Sequence, residues 1–150
     1  MSMEVIFENN IKLGVPATDW QDAMRQSGRI LVSSEFITEE YITSTIKAVE
    51  EFGPYIVIAP GLAIAHARPD DSVLKTGLSL VTLSSPVNFG CDLDPVDIVI
   101  TLAAKNNDDH HEMLQKLSLY LSEEGTMDYI RTCTSPKELA AQINEFEIEP

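Results

Sequence analysis

Apolar residues recur at helical spacing in four segments of this chain. Thr18 and Gln21 stand at capping-box spacing at the start of the first, and two acids follow Thr38 at the start of the second. Ser135 followed by Pro136 supplies an N-cap and a first-turn proline for the fourth. The predicted helices run over residues 18–32, over 38–53, from about 108 and from 135 onward.

Four shorter segments between the second and third helices are typical of β-strands. They are rich in β-branched residues, and the last is almost continuously apolar, as expected for a strand with both faces covered. The predicted strands are 55–58, 62–66, 77–83 and 96–104. Helices on both sides of a strand-rich centre predict an α/β fold, with a sheet sandwiched between two helical layers. The length of 150 residues, without a repeat or linker, predicts one domain over 1–150.

The charge of the chain narrows its possible partners. A total of 10 Lys and Arg against 24 Asp and Glu gives a formal net charge of -14. This disfavours nucleic acid and anionic membrane surfaces and favours a partner with a basic face.

Residues 1–5 lack a signal-peptide pattern, and no apolar run approaches the roughly 18 residues that span a bilayer. Cys91 and Cys133 lie far apart without metal-ligand spacing. We therefore expect a cytoplasmic protein.

Candidate chemistry concentrates in the 3 histidines. His66 ends the second predicted strand, where a side chain is held rigidly yet meets solvent, and imidazole is a nucleophile near pH 7. His110 and His111 open the helix after the fourth strand. If the second and fourth strands lie side by side in one sheet, His66 and the helix start with His110 and His111 meet at one edge of that sheet. Because adjacent helical residues point about 100° apart, only one of the pair faces His66. Alignment with the apolar stripe makes His110 the inward residue and His111 the exposed one. A purely structural histidine at the strand end is the alternative for His66.

A pair such as His66 and His110 suits phosphoryl transfer through a phosphohistidine, acid–base catalysis, or a metal site with Asp108–Asp109. Metal binding is the weakest, because HxH and HExxH spacings are absent. The chain also lacks the GxSxG turn of serine hydrolases and a P-loop for nucleotides. A strand-end imidazole near a helix N-terminus fits a phosphoryl acceptor, since amides and cations there stabilise the oxygens. Arg68 and Lys105 are nearby cations in the sequence, and each is equally compatible with a solvated surface charge.

Four motifs follow one another along the chain. They are Gly61–Ala67 (GLAIAHA), Pro86–Gly90 (PVNFG), Pro95–Ala104 (PVDIVITLAA) and His110–Leu117 (HHEMLQKL). Together they resemble the IIA component of the sugar phosphotransferase system (PTS), of the mannitol/fructose type. The similarity extends over roughly residues 18–139, and motifs in this order are fairly specific. Two further segments, 55–61 and 66–69, resemble the ascorbate-specific branch.

The resemblance implies a phosphocarrier whose mixed sheet lies between helical layers. His66 would accept a phosphoryl group from the histidine-containing phosphocarrier protein HPr and donate it to a cysteine of a IIB component, which serves a membrane IIC transporter. His110 matches the family's second active-site histidine, which helps to hold the phosphate or to orient the first. The resemblance implies no metal, nucleotide or other cofactor. Its branch implies ascorbate as the sugar, ahead of galactitol, mannitol and fructose.

Two positions depart from the family's pattern. Mannitol-type members carry an Arg in the helix before the active strand, where this chain has Ala48 with Lys47 adjacent, and Arg68 is a hypothetical substitute. The family's Pro before the active histidine is Ala65 here, which restores a backbone N–H. Two other functions stay open: a regulatory module whose phosphorylation at His66 reports sugar supply, and a His/Asp metal hydrolase.

Overall fold

One mixed sheet of five strands organises residues 6–146, the part of the chain that the computed structural model describes. The strands are β1 (Ile11–Val15), β2 (Val57–Ala59), β3 (Leu62–Ala65), β4 (Gly77–Val87) and β5 (Val96–Ala103). The helices are α1 (Trp20–Ser33), α2 (Glu39–Phe52), α3 (Asn107–Leu121), α4 (Thr126–Thr132) and α5 (Pro136–Glu145), with a short 3₁₀ turn at Glu8–Asn10. The residues that we tested for a signal peptide, 1–5, lie outside this range. Within it, every helix is too short or too polar to cross a membrane.

The strand order places the two strands that carry histidines side by side. The order across the sheet is β1-β4-β5-β3-β2, with β1 parallel to β4 and β4 antiparallel to β5. Strand β3 runs parallel to β5, pairing Leu62 with Ile98 and Ala65 with Thr101, while β2 is antiparallel to β3. Since parallel strands end at the same edge of a sheet, His66 and the start of α3 meet there, as we predicted.

Apolar residues cover both faces of the sheet and form two cores. One core packs α1 and α2 against the sheet, and the other packs α3, α4 and α5 against the opposite face. Strand β5 supplies both cores, because Val99 points into the first while its neighbours Ile98 and Ile100 point into the second. This confirms the predicted three-layer α/β/α sandwich and explains why β5 is apolar along most of its length.

The predicted caps of the first two helices need correction. The cap of α1 is Asp19, one residue later than Thr18: its carboxylate accepts the Asp22 N–H at 2.8 Å. The Asp22 carboxylate in turn accepts the Thr18 N–H at 3.0 Å, so the reciprocal bonding survives with Asp22 in place of Gln21. Thr38 occupies the N-cap of α2, but its side chain makes no capping bond, and its Oγ1 is buried without a partner among the described residues.

Each predicted strand differs from the observed strand at one end or both, most of all β2 and β4, and two further elements were not predicted. Strand β2 begins at Val57 rather than at Tyr55, because the chain is still turning after α2. Strand β4 continues to Val87 through Pro86, at an interruption of its pairing with β5, which is where a sheet tolerates proline. Strand β1 and helix α4 were not predicted.

Candidate active site

His66 directly follows β3, and one hydrogen bond fixes the state of its ring. Its Nδ1 lies 2.8 Å from the carbonyl oxygen of Ile64. A carbonyl oxygen only accepts hydrogen bonds, so in the neutral ring the proton is on Nδ1 and the lone pair is on Nε2. The side chain is half-buried, at the edge where β3 and β5 end. His66 is therefore a partly exposed imidazole with a free nucleophilic nitrogen.

His110 meets His66 from the first turn of α3. The centroids of the two rings are 5.5 Å apart and their planes are inclined by 60°. The start of the helix is fixed by Asn106, whose side-chain oxygen accepts the Asp109 N–H at 2.8 Å, and by Thr76, whose hydroxyl donates to Asp109 at 2.7 Å. His111 is exposed. The predicted choice of His110 as the inward residue is confirmed; the roles of both rings remain predictions.

The surroundings of His110 disfavour the charged form of its ring. Burial, followed by electrostatic interaction with the His66 and His111 rings, lowers the pKa of His110 from its ordinary value of 6.5. Its Nδ1 is buried and has no hydrogen-bond partner among residues 6–146. A neutral imidazole offers one N–H donor and one acceptor nitrogen, so His110 can donate to an oxygen placed between the rings without carrying a charge of its own.

Two tyrosines, which the sequence did not mark as functional, hold the backbone beside His66. The Tyr55 ring meets the His66 ring edge-on at 5.6 Å and 85°, and its hydroxyl donates to the His66 carbonyl at 3.3 Å. The Tyr41 hydroxyl accepts the Ala67 N–H at 3.0 Å and donates to the Leu102 carbonyl at 2.7 Å. One signal was available for Tyr41: a tyrosine in a buried helical stripe needs a partner for its hydroxyl.

The candidate cations do not contact the two histidines. The Arg68 side chain is exposed and forms no hydrogen bond or ion pair with any described residue, and Lys47 and Lys105 are exposed as well. Ala48 is half-buried, and Ala65 is the buried last residue of β3. Arg68 is thus next to His66 in the chain, but this structure does not show it at the rings. Within residues 6–146, no group of three or more His, Cys, Asp or Glu side chains is arranged to hold a metal ion.

Fold and site together define a class of protein: an α/β/α sandwich that presents a histidine pair at one edge of a mixed sheet. The chain belongs to the family described as phosphoenolpyruvate-dependent sugar phosphotransferase system, EIIA 2, whose model matches residues 4–146. It is 42% identical over 139 residues to the ascorbate-specific PTS system EIIA component of Salmonella choleraesuis, covering 91% of this chain and 90% of the relative. The chain is accordingly a phosphotransferase relay protein, a PTS phosphocarrier in sugar uptake, and a regulatory role is not favoured.

Solved structures agree with this assignment. The mannitol-specific cryptic phosphotransferase enzyme IIA of Escherichia coli superposes with a TM-score of 0.85 at 35% identity, covering 96% of this chain and 100% of that one. The enzyme IIA in the Escherichia coli complex of IIAMtl with phosphorylated IIBMtl superposes with a TM-score of 0.79 at 27% sequence identity. The match covers 93% of this chain and 98% of that one. IIA components thus pair with IIB partners.

Proposed function

We propose that His66 carries the phosphoryl group of this phosphocarrier. Phospho-HPr is the donor, and a cysteine of a IIB component, which serves a membrane IIC transporter, is the acceptor. The observation that supports this most directly is the 2.8 Å contact between the Nδ1 of His66 and the Ile64 carbonyl, because it leaves the Nε2 lone pair free. A structural histidine would not need a free nitrogen at an accessible sheet edge.

The transfer exchanges one nitrogen–phosphorus bond for another. Nε2 of His66 attacks the phosphorus, the N–P bond of the donor breaks, and its electron pair returns to the donor imidazole. The His66 ring becomes positive as the new bond forms, and the Nδ1–H bond to the Ile64 carbonyl stabilises that charge. The onward step is the same exchange with a thiolate as nucleophile, so no other reactant and no cofactor is required.

We propose a supporting role for His110. For Arg68 we propose such a role on less structural support, because its side chain does not contact the histidine rings. The His110 ring lies close enough to donate an N–H to an oxygen of the phosphoryl group on His66. Arg68 is two residues from His66 and has no ion-pair or hydrogen-bond partner among residues 6–146, so its guanidinium is free to turn toward the phosphoryl oxygens when they arrive. Substitution of either residue should slow the transfer and leave His66 able to accept the group.

The particular sugar system is a further proposal. Similarity to ascorbate-specific relatives supports ascorbate as the sugar of the cognate transporter. We also propose that the whole chain, 1–150, acts as one cytoplasmic domain. Its net charge of -14 suits diffusional encounter with partners that present a basic face.

The test is an incubation with phosphoenolpyruvate, Enzyme I and HPr, followed by intact-mass measurement. Wild type should gain one acid-labile phosphoryl group, and His66→Ala should gain none. His111→Ala is the matched control, because it removes an exposed neighbouring imidazole, and it should be labelled like wild type. Labelling of His66→Ala would refute the site. His110→Gln and Arg68→Gln should be labelled more slowly, to the same final extent.

A further inference from the structure

We propose that Tyr55 is a positioning residue for phosphoryl transfer, holding the His66 imidazole and the peptide that follows it in one orientation. The inference rests on the proposed function, and it assigns a specific task to a residue outside the histidine pair. Tyr55 is 45% exposed, so its hydrophobic burial alone does not account for its placement against His66.

Tyr55 contacts His66 through two different groups. Its ring packs edge-on against the imidazole at 5.6 Å, and its hydroxyl donates to the carbonyl of the same residue at 3.3 Å. The ring contact opposes rotation of the imidazole about its χ2 torsion, and the hydroxyl contact opposes rotation of the backbone to which the imidazole is attached. One side chain therefore restrains two of the motions that would displace Nε2.

The peptide group between His66 and Ala67 is held at both of its polar atoms. Tyr55 donates to its carbonyl oxygen, and the Tyr41 hydroxyl accepts its N–H at 3.0 Å. The Tyr41 hydroxyl also donates to the Leu102 carbonyl of β5 at 2.7 Å. The peptide after the nucleophile is therefore tied to a buried strand on one side and to Tyr55 on the other.

Tyr55 is in turn fixed to the strand that carries His66. Its own N–H donates to the Gly53 carbonyl at 2.8 Å, which closes the turn after α2. The next residue, Ile56, accepts the Ile64 N–H through its carbonyl at 2.9 Å, and the Ile64 carbonyl is the group that accepts from Nδ1 of His66. Tyr55 and His66 thus share one rigid frame, in which Ile64 is the common member.

Orientation matters in this reaction because enzymes accelerate phosphoryl transfer almost entirely by positioning the reactants and by stabilising charge. The nucleophile must meet phosphorus in line with the bond that breaks, and misplacement by about 1 Å can cost roughly 100-fold in rate. Tyr55 is not itself an acid or base here: burial raises the pKa of its phenol, so the hydroxyl keeps its proton. Its contribution is geometric.

The experiment compares Tyr55→Phe, which removes the hydroxyl, with Tyr55→Leu, which also removes the ring. Transfer from phospho-HPr is followed in single turnovers over a range of donor concentrations. The saturating rate constant should fall about threefold in Tyr55→Phe, the size of one exposed neutral hydrogen bond, and roughly tenfold or more in Tyr55→Leu. The half-saturating donor concentration should not change. Tyr129→Phe, on α4, is the matched control and should behave like wild type.

A spectroscopic readout reports the orientation in the unphosphorylated protein. Imidazole ¹⁵N shifts should show His66 as a single tautomer with the proton on Nδ1 in wild type, and as an averaged mixture in Tyr55→Leu. A wild-type saturating rate with a raised half-saturating concentration would overturn the proposal and make Tyr55 a docking contact. Unchanged shifts with an unchanged rate would also overturn it. Failure of wild type to accept a phosphoryl group would instead refute the proposed function as a whole.

Discussion

Replacement of Tyr41 by Phe would test how strongly the peptide after His66 is anchored. Tyr41 is 1% exposed, and its hydroxyl joins three elements: α2, which carries it, the segment after β3 and the end of β5. Burial raises the pKa of Tyr41 to about 12, so the hydroxyl stays protonated at any pH used for the assay. Phe keeps the ring in the core and removes the hydroxyl, with its bonds to the Ala67 N–H and the Leu102 carbonyl and its longer 3.4 Å contact with the Ala67 carbonyl.

The cost follows from the groups left behind. The Ala67 N–H and the Leu102 carbonyl both lose a partner, and an unpaired buried group costs about 1–3 kcal/mol. Ala67 is half-buried, so water can replace part of its bond, whereas Leu102 is fully buried. We therefore expect the free energy of unfolding to fall by about 2–3 kcal/mol, between one lost bond and two.

The change in the free energy of unfolding is measured by urea unfolding. The fluorescence of Trp20, the single tryptophan of the chain, reports the transition. The midpoint should fall while the slope with denaturant stays the same, because the folded state loses bonds and not surface. Tyr129→Phe, a half-exposed tyrosine, should change stability by less than about 0.5 kcal/mol. A midpoint for Tyr41→Phe equal to that of this control would refute the reasoning, since the hydroxyl would then contribute nothing to the anchoring of the loop.

Two further outcomes follow from other parts of the structure. Because the folded pKa of His110 lies below its ordinary 6.5, the unfolded chain binds more protons just below that pH, and stability should fall as the pH drops through 6.5 toward the lowered value. His110→Gln should make urea midpoints measured on either side of 6.5 more nearly equal than in wild type, and an unchanged difference would contradict the assignment. Gly61 has φ +82°, a backbone conformation that strains any residue with a Cβ, and a Cβ there would also clash with the guanidinium of Arg131. The Nε of Arg131 donates to Asp97 at 2.8 Å. Gly61→Ala should therefore cost roughly 1–3 kcal/mol of stability and leave the mass gained from phospho-HPr unchanged, because it lies at the far end of β3 from the histidines. Loss of labelling in the folded variant would show that the two ends of β3 are coupled.

The strong patterns of the sequence predicted the parts of the fold that carry the histidines. Strand β5 is apolar on both faces, and α3 has a buried stripe from Met113 to Leu121, so neither depends on a single residue for recognition. The choice between His110 and His111 required only the angle between adjacent helical residues. The parallel pairing of β3 and β5 is an assumption at the level of the sequence, and the structure shows that the two strands do pair in parallel.

Weaker local signals explain the missed elements. Strand β1 has alternating burial, with Ile11 buried and Leu13 half-buried, but it is 5 residues long and contains Gly14. It is stabilised by pairing with β4, which lies far along the chain. Local β-propensity does not reveal a pairing between segments that are distant in sequence. Helix α4 is 7 residues long and begins after Gly125 in a left-handed conformation, without a side-chain cap. Short elements of this kind depend on tertiary contacts.

The tyrosines show why a sequence can indicate which residue reacts before it indicates what holds that residue in place. A nucleophile is recognised from its own chemistry and its neighbours in the chain, which is why His66 stood out. Tyr41, by contrast, is separated by 26 residues from Ala67 and by 61 from Leu102, and only the folded sheet brings these groups within hydrogen-bonding distance. The sequence pattern predicts Tyr55 inside a strand, whereas β2 begins two residues later and Tyr55 lies in the preceding turn, where it contacts His66. Positioning residues are therefore recognised only once the topology is known. The rate assays on Tyr55 test whether it orients His66, and the unfolding assay on Tyr41 tests separately whether it anchors the loop.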